Sequence, residues 1–403
     1  MGLPILAALA VGFGLGYLIS TPHITRNVTD QIRQRVQLGA GDAEPAGHWG
    51  LAQPMDDLLD HEAEYRQELQ KLGSLGYAGG TVTGRAGDGV TVHQDDLASD
   101  GLRFYTSGHE PGAELIDPTG RILYRWRMSY EDCVAASGDQ GTQFKPDHRQ
   151  VTACWRRARL LPDGSVLAIY EGHGLARVDR ESNLMWSYPG ACHHDLDLGP
   201  DGTIHVLTRE SQLVSHLNPG IPILVDFVTR LSPEGEELGR ISLLEAFENS
   251  VYASYLQYRK DAGDIFHTNT LEILDGPATD RLGPDFAAGN YLISMRELGL
   301  IAVVDPVEVE VVWAMSGMWK AQHQPTLLEE GTIMLFDNQG QGGRSKVVEF
   351  DPLTQEVLWS YADGPGSSLY SHTCGSNQRL PGGNTLITES DNGRALEVTP
   401  EGR

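Results

Sequence analysis

From about residue 90 onward a single alternation of apolar and polar positions keeps returning. An apolar strand runs into a turn ending in Gly. A second apolar strand follows, a third leads to Asp, and a fourth ends in Trp. The first half of this unit reads RARLLPDGSVLAIY at 157–170, HDLDLGPDGTIHVLT at 194–208, TLLEEGTIMLF at 326–336 and QRLPGGNTLIT at 378–388. The second half reads AELIDPTGRILYRW at 113–126, ARVDRESNLMW at 176–186, IAVVDPVEVEVVW at 301–313 and VVEFDPLTQEVLW at 347–359. Alternating runs bounded by Pro-Asp-Gly, Pro-Gly-Gly and Asp-Pro turns predict short antiparallel strands. Four strands in a unit of roughly 40–50 residues predict propeller blades.

The turn glycines count the blades. They are Gly101, Gly164, Gly202, Gly289, Gly331 and Gly383, which predicts an all-β, six-bladed propeller over residues 91–403. Blade four carries an insertion, Asp275 to Ala288, inside its first hairpin. Blade three has a long excursion, Glu210 to Pro222. The sixth blade reaches only the turn 399–403, where its fourth strand is due. Either a strand near Thr91–Val92 helps to close the ring or the chain is cut short, and both readings stay open.

Ahead of the repeat the pattern changes. Residues 3–19 carry no charge and sit at the short end of a membrane span. No basic stretch precedes them and no A-x-A site follows, so residues 1–20 read as an uncleaved anchor helix, with a signal peptide as the competing reading. Arg26, Arg33 and Arg35 follow the span, where the positive-inside rule would keep them cytoplasmic. An exported acidic propeller facing the periplasm is nevertheless the expectation. Residues 21–90 read as a linker. Leu58, Leu59, Tyr65, Leu69 and Leu72 give a helical stripe over 55–72, ended by Gly73.

Composition narrows the function. Forty-seven glycines in 403 residues suit many turns, and a net charge of −25 argues against nucleic acid, whose phosphates need basic surface. Cys133, Cys154, Cys192 and Cys374 form no C-x-x-C and no zinc pattern. No Walker loop, dinucleotide fingerprint or G-x-S-x-G elbow appears, so no metal and no cofactor are expected.

The repeat phase then exposes a candidate site. In a propeller the first strand of each blade lies nearest the axis, so residues just before it meet at one mouth of the central channel. Eight residues before the turn glycine stand His93, Arg156, His194 and His323. His267 is the displaced equivalent in blade four. In blade six the position is Gly375, with His372 close by. Seven residues after the turn glycine stand Glu171, Arg209, Arg296, Asn338 and Ser390. Unrelated structural histidines have no reason to share a phase. Histidine with arginine around one mouth suits an oxyanion, and sulfate or phosphate esters are the obvious candidates.

On these residues the sequence resembles the arylsulfotransferase family of bacterial six-bladed propellers. The likeness rests on HHDLDLGPDGTIHVLT at 193–208, DIFHTNTLEIL at 264–274, GNYLISMRELGLIAVVD at 289–305, QHQPTLLEEGTIMLFDN at 322–338 and GSNQRLPGGNTLIT at 375–388. It implies sulfuryl transfer from an aryl sulfate to a phenol, without a nucleotide donor, through a transient sulfohistidine. By motif, His323 would be the nucleophile, His194, His267 and Arg296 would hold the sulfuryl oxygens, and Asn269 would support them. Arg156, Arg209, His93 and His372 complete the expected substrate-binding set. A second class of function stays open, a non-catalytic propeller serving as a tethered accessory subunit of a membrane complex.

Overall fold

The computed structural model describes residues 89–137, 154–218, 220–260, 263–364 and 367–403. The anchor expected at 3–19 and the helix expected at 55–72 lie outside the described residues. Among the described residues no helix is long and apolar enough to cross a membrane.

Six sheets follow one another along the chain as propeller blades. Blade 1 has three strands, Arg103–Thr106, Gly112–Ile116 and Ile122–Arg127. Blade 2 has four, from Arg157–Leu160 to Leu184–Tyr188. Blade 3 runs from Cys192–Leu198 to Glu237–Ser242, blade 4 from Thr268–Ile273 to Glu310–Ser316, and blade 5 from His323–Leu327 to Val357–Tyr361. Blade 6 has three, Ser376–Arg379, Thr385–Glu389 and Arg394–Val398. Neighbouring strands within each blade are antiparallel.

The second strand of a blade is sandwiched between neighbouring blades, and this explains its unbroken apolar run. Val166–Tyr170, Tyr291–Met295 and Ile333–Asp337 are buried at every position. A strand covered on both faces has no polar side to alternate with. The Trp that ends the fourth strand also has a structural reason. Trp126 Nε1 donates to Gly164 O at 3.0 Å, Trp186 to Pro233 O at 3.1 Å and Trp359 to Pro400 O at 2.8 Å. Each indole thus clasps a turn of the next blade.

The innermost strands have a free edge facing the axis, and side chains of neighbouring blades satisfy it. Asp195 Oδ2 accepts from Leu271 N–H at 3.1 Å, and Asp197 Oδ2 from Ile273 N–H at 2.9 Å. Glu272 Oε2 accepts from Leu327 N–H at 3.1 Å, and Asn377 Nδ2 donates to Gln324 O at 2.9 Å. These contacts link blades 3, 4, 5 and 6 in sequence.

Thr91–Val92 form no strand, and Val90 lies against the Gly120 turn of blade 1. Residues 94–98 make a turn closed by Gln94 O, so blade 1 begins at its second-strand position. Side chains join blade 6 to blade 1 instead. Glu397 accepts from Ser99 N–H at 2.5 Å and from Arg103 Nη2 at 2.6 Å, while Asn384 Nδ2 donates to Leu97 O at 2.7 Å.

Both expected interruptions are present. The blade 4 insertion holds the helix Thr279–Leu282 and a turn at Pro284–Phe286, with Leu282 and Phe286 buried beside Ile333 and Leu335 of blade 5. The blade 3 excursion extends a hairpin whose strands, Ile204–Gln212 and Ile223–Leu231, each have nine residues. An unexpected segment joins blades 3 and 4 through the helix Leu243–Glu248 and the 3-10 turn Ala253–Tyr258.

Candidate active site

Three histidines reach one mouth from three consecutive blades, each at or next to a bulge in its blade's inner strand. Register breaks between Cys192 and Leu196, between Thr268 and Thr270, and between His323 and Thr326. At the first and third breaks His194 and Gln324, and just ahead of the second His267, take left-handed backbone, with φ of 49°, 48° and 52°. Non-glycine residues hold such angles only where the surroundings enforce them. A bulge re-aims side chains that regular pleating would direct elsewhere.

The histidines form a continuous group. The rings of His194 and His267 meet edge to face with centroids 5.0 Å apart. His323, His267 and Arg156 each perturb His194, and His323 in turn feels Arg156, His267 and Arg296. Arg156 Nε lies 3.3 Å from Glu171 Oε2, which also accepts from His194 N–H at 3.2 Å. Arg296 pairs with Glu297, and its backbone N–H donates to His267 O at 3.2 Å. The set gathered here is His194, His267, His323, Arg156 and Arg296.

His323 is buried, and its protonation pattern follows from its partners. Its Nδ1 lies 2.7 Å from Asn338 Oδ1 and 3.1 Å from Ala321 O. Asn338 Nδ2 donates to Ser371 O at 2.9 Å and to Cys374 O at 2.6 Å. Two carbonyls therefore fix the amide nitrogen of Asn338 away from the ring and turn its oxygen toward it. An oxygen acceptor at Nδ1 demands Nδ1–H, which leaves the lone pair on Nε2. Burial, reinforced by the charges of Arg156, His267 and Arg296, pushes the His323 pKa down to about 3, against the opposing Asn338 bond. The imidazole is neutral at physiological pH, as a nitrogen nucleophile requires.

His267 is oriented from the opposite side. Asp264 Oδ2 lies 2.7 Å from His267 Nδ1, and Asp264 Oδ1 accepts the His267 backbone N–H at 2.8 Å. The Nε2 edge of the ring consequently points away from Asp264. His194 lies against His193, Nδ1 to Nδ1, at 3.1 Å. Burial and nearby Arg charges hold both of these rings far below the usual histidine pKa. A shared proton between two neutral rings fits that distance.

Other expected residues take different places. Asn269 is buried in the wall and donates through Nδ2 to Gln322 O at 2.8 Å, bracing the peptide just before His323. Arg209 is buried beside His193, His173 and Asp226. His372 sits outside the cluster, held through its backbone N–H to Asp391 and by Gln339. His93 is not brought to this group. Its Nε2 pairs with Asp95 at 2.9 Å, because the segment that the repeat phase made an inner strand is a turn.

Sequence reasoning missed residues that hold the histidines, namely Asp264, Glu297, Asp226 and Gln322. Only Asp264 carried a local signal, three positions before His267. Gln322 Nε2 lies within 3.2 Å of Ser294 Oγ, Met295 O and Leu300 O, fixing the approach to His323 from blade 4. Asp226 accepts from Thr268 N–H at 3.0 Å, and its carboxyl is pushed above the usual range by burial and by the charge of Asp264.

Comparison with known proteins sets this geometry in context. The family profile of Arylsulfotransferase (ASST) matches residues 157–403, which spans blades 2 to 6. No curated protein matches the chain. Among solved structures, a protein of unknown function from Bacteroides caccae has a TM-score of 0.46 at 12% identity, covering 75% of this chain and 90% of its own. A functionally unknown protein from Desulfotomaculum acetoxidans has a TM-score of 0.43 at 9% identity, with coverages of 74% and 93%. Virginiamycin B lyase from Staphylococcus aureus has a TM-score of 0.39 at 11% identity, with coverages of 75% and 82%. Likeness at this level carries no argument about function.

Proposed function

The chain belongs to the arylsulfotransferase family, and on that premise we propose that it moves a sulfuryl group from an aryl sulfate to a phenol through a covalent intermediate on His323. Family membership makes it a sulfotransferase acting on small aryl sulfates and phenols. The residue roles are our own reading. The observation that carries it is the 2.7 Å contact of buried His323 Nδ1 with Asn338 Oδ1, which leaves the lone pair on Nε2 of a ring that feels the charges of Arg156 and Arg296.

In the first half-reaction the Nε2 lone pair forms an N–S bond while the aryl O–S bond breaks. The bonding pair leaves on the phenolate oxygen. Arg296 and Arg156 neutralise charge on the sulfuryl oxygens, as cationic donors do where anionic charge develops. His267, buttressed at Nδ1 by Asp264, delivers a proton from Nε2 to the phenolate. In the second half the acceptor phenol gives its proton to His267 and attacks sulfur. The N–S pair then returns to His323. His194 closes the wall against His267.

The test is to mix enzyme with an aryl sulfate alone and measure one equivalent of phenol released with one sulfuryl group bound. A His323→Ala variant that releases phenol at the wild-type rate would sink the reading. The uncharged run at 3–19 is proposed to tether the propeller on the periplasmic side of a membrane, which cell fractionation tests.

A further inference from the structure

An asparagine, rather than a carboxylate, stands behind the proposed nucleophile. We infer that Asn338 is a positioning residue that keeps the Nδ1 proton on His323 throughout the cycle and thereby keeps the sulfohistidine reactive. The inference rests on the covalent reading given above.

Asn338 is fully buried at the end of the second strand of blade 5. Its nitrogen is committed to Ser371 O and Cys374 O in the loop that leads into blade 6. That loop is itself pinned. Ser345 Oγ donates to Asn338 O at 2.8 Å and accepts from Ser371 N–H at 2.9 Å, and Ser371 Oγ donates to Thr373 O at 2.6 Å. With both amide hydrogens spoken for, Oδ1 has one orientation, 2.7 Å from His323 Nδ1.

The chemistry of the intermediate gives that orientation its purpose. When Nε2 attacks sulfur with Nδ1–H in place, the product ring is an imidazolium bearing a sulfonate. The O–S bonding pair has left on the aryl oxygen, and no proton has left the ring. A cationic ring is a good leaving group, because the N–S electron pair returns to it and restores neutral imidazole. If the Nδ1 proton were lost, the N–S bond would belong to a neutral sulfonated imidazole, and the returning pair would have to make an imidazolate. An amide oxygen is too weak a base to take that proton, as is the second acceptor, Ala321 O. A carboxylate is basic enough. In hydrolases that use a carboxylate behind the histidine, the ring's task is to carry a second proton. Here its task is to carry sulfur.

Two variants separate this from a structural role. In Asn338→Asp the carboxylate is expected to draw the Nδ1 proton once sulfur is bound, so the sulfo-enzyme forms but transfers to acceptor about 10- to 100-fold more slowly. In Asn338→Ala the proton still faces only Ala321 O. The donor half-reaction is expected to slow by about 10- to 100-fold as orientation is lost, while the sulfo-enzyme, once formed, decays at the wild-type rate. Half-reactions are followed by stopped-flow phenol release and by intact mass of the sulfo-enzyme. An Asn338→Asp sulfo-enzyme that transfers as fast as wild type overturns the inference. If that variant does not fold, nitrogen NMR of histidine-labelled wild-type enzyme decides. Protonated Nδ1 and bare Nε2 on His323 are expected, and the reverse tautomer overturns the inference. Failure of the covalent reading would look different, since wild type would then carry no sulfuryl group at all.

Discussion

His267 and Asp264 form a carboxylate–imidazole pair at 2.7 Å, with the same carboxyl also accepting the His267 backbone N–H. The left-handed turn at His267 brings its own backbone and ring to one acid three residues earlier. Removing the charge should therefore disturb proton delivery more than ring placement. Asp264→Asn is expected to lower the donor half-reaction by about 10- to 100-fold for phenols that leave poorly. The loss should shrink as the leaving phenol becomes more acidic, since such phenolates need no proton. A series of aryl sulfates of graded leaving-group pKa checks this, and a uniform loss across the series would refute it.

The low pKa of His323 fixes one limb of the pH profile. A base with a depressed pKa stays neutral as pH falls and is lost only when pH passes through the lowered value, here about 3. The burst of phenol in single turnover is therefore expected to keep its amplitude from pH 8 to about pH 5. A burst that titrates away with an apparent pKa near 6.5 would show that His323 is not held neutral by its surroundings.

Glu272 gives a stability prediction of opposite sense. Burial, then the charges of Asp197, Asp275 and Asp195, pushes its carboxyl up to about 8, against the Leu327 N–H bond. The folded state keeps a proton that the unfolded chain releases above its ordinary carboxyl pKa. Stability from this group is therefore full at low pH and lost as pH rises toward about 8. Glu272→Gln retains an oxygen for Leu327 N–H and removes the titration. It is expected to raise Tm at pH 8 and to leave it near wild type at pH 5, as thermal melts at both values would report.

Ring closure responds the other way. Burial raises the Glu397 carboxyl, but hydrogen bonds from Asn384, Ser99 and Arg103 overcome it and bring it to about 2. That stability is present above the ordinary carboxyl range and disappears as pH falls toward about 2. Arg103→Ala is expected to cost about 1 kcal/mol at pH 7 by leaving a half-buried carboxylate short of a partner. The deficit should narrow toward pH 3 in denaturant titrations.

How much of this was legible beforehand depends on the range of each interaction. The blades were legible because period-two alternation and turn glycines are local. His194, His267, His323, Arg156 and Arg296 were legible because a repeat converts spacing in sequence into position around an axis. His93 fails the same logic, since residues 94–98 close a turn on Gln94 and the register does not extend to blade 1. Arg209 keeps the register but sits beside His193, His173 and Asp226, because phase gives a height along the channel and leaves the direction of the side chain open. Asn338 shared the phase too, yet its role lies in contacts with Ser371 and Cys374, more than thirty residues away. Such pairings between blades leave no mark on local pattern.

The three histidines come from consecutive blades, and no single loop holds more than one of the trio. Their mutual distances are consequently a gauge of ring circumference. A substitution far from the mouth that lets two blades rotate or spread, by loosening a Trp clasp or an inner-edge carboxylate, would detune the site without touching it. Loss of activity from such a remote change would be a reading of the scaffold's dimensions, and the chemistry itself would be intact.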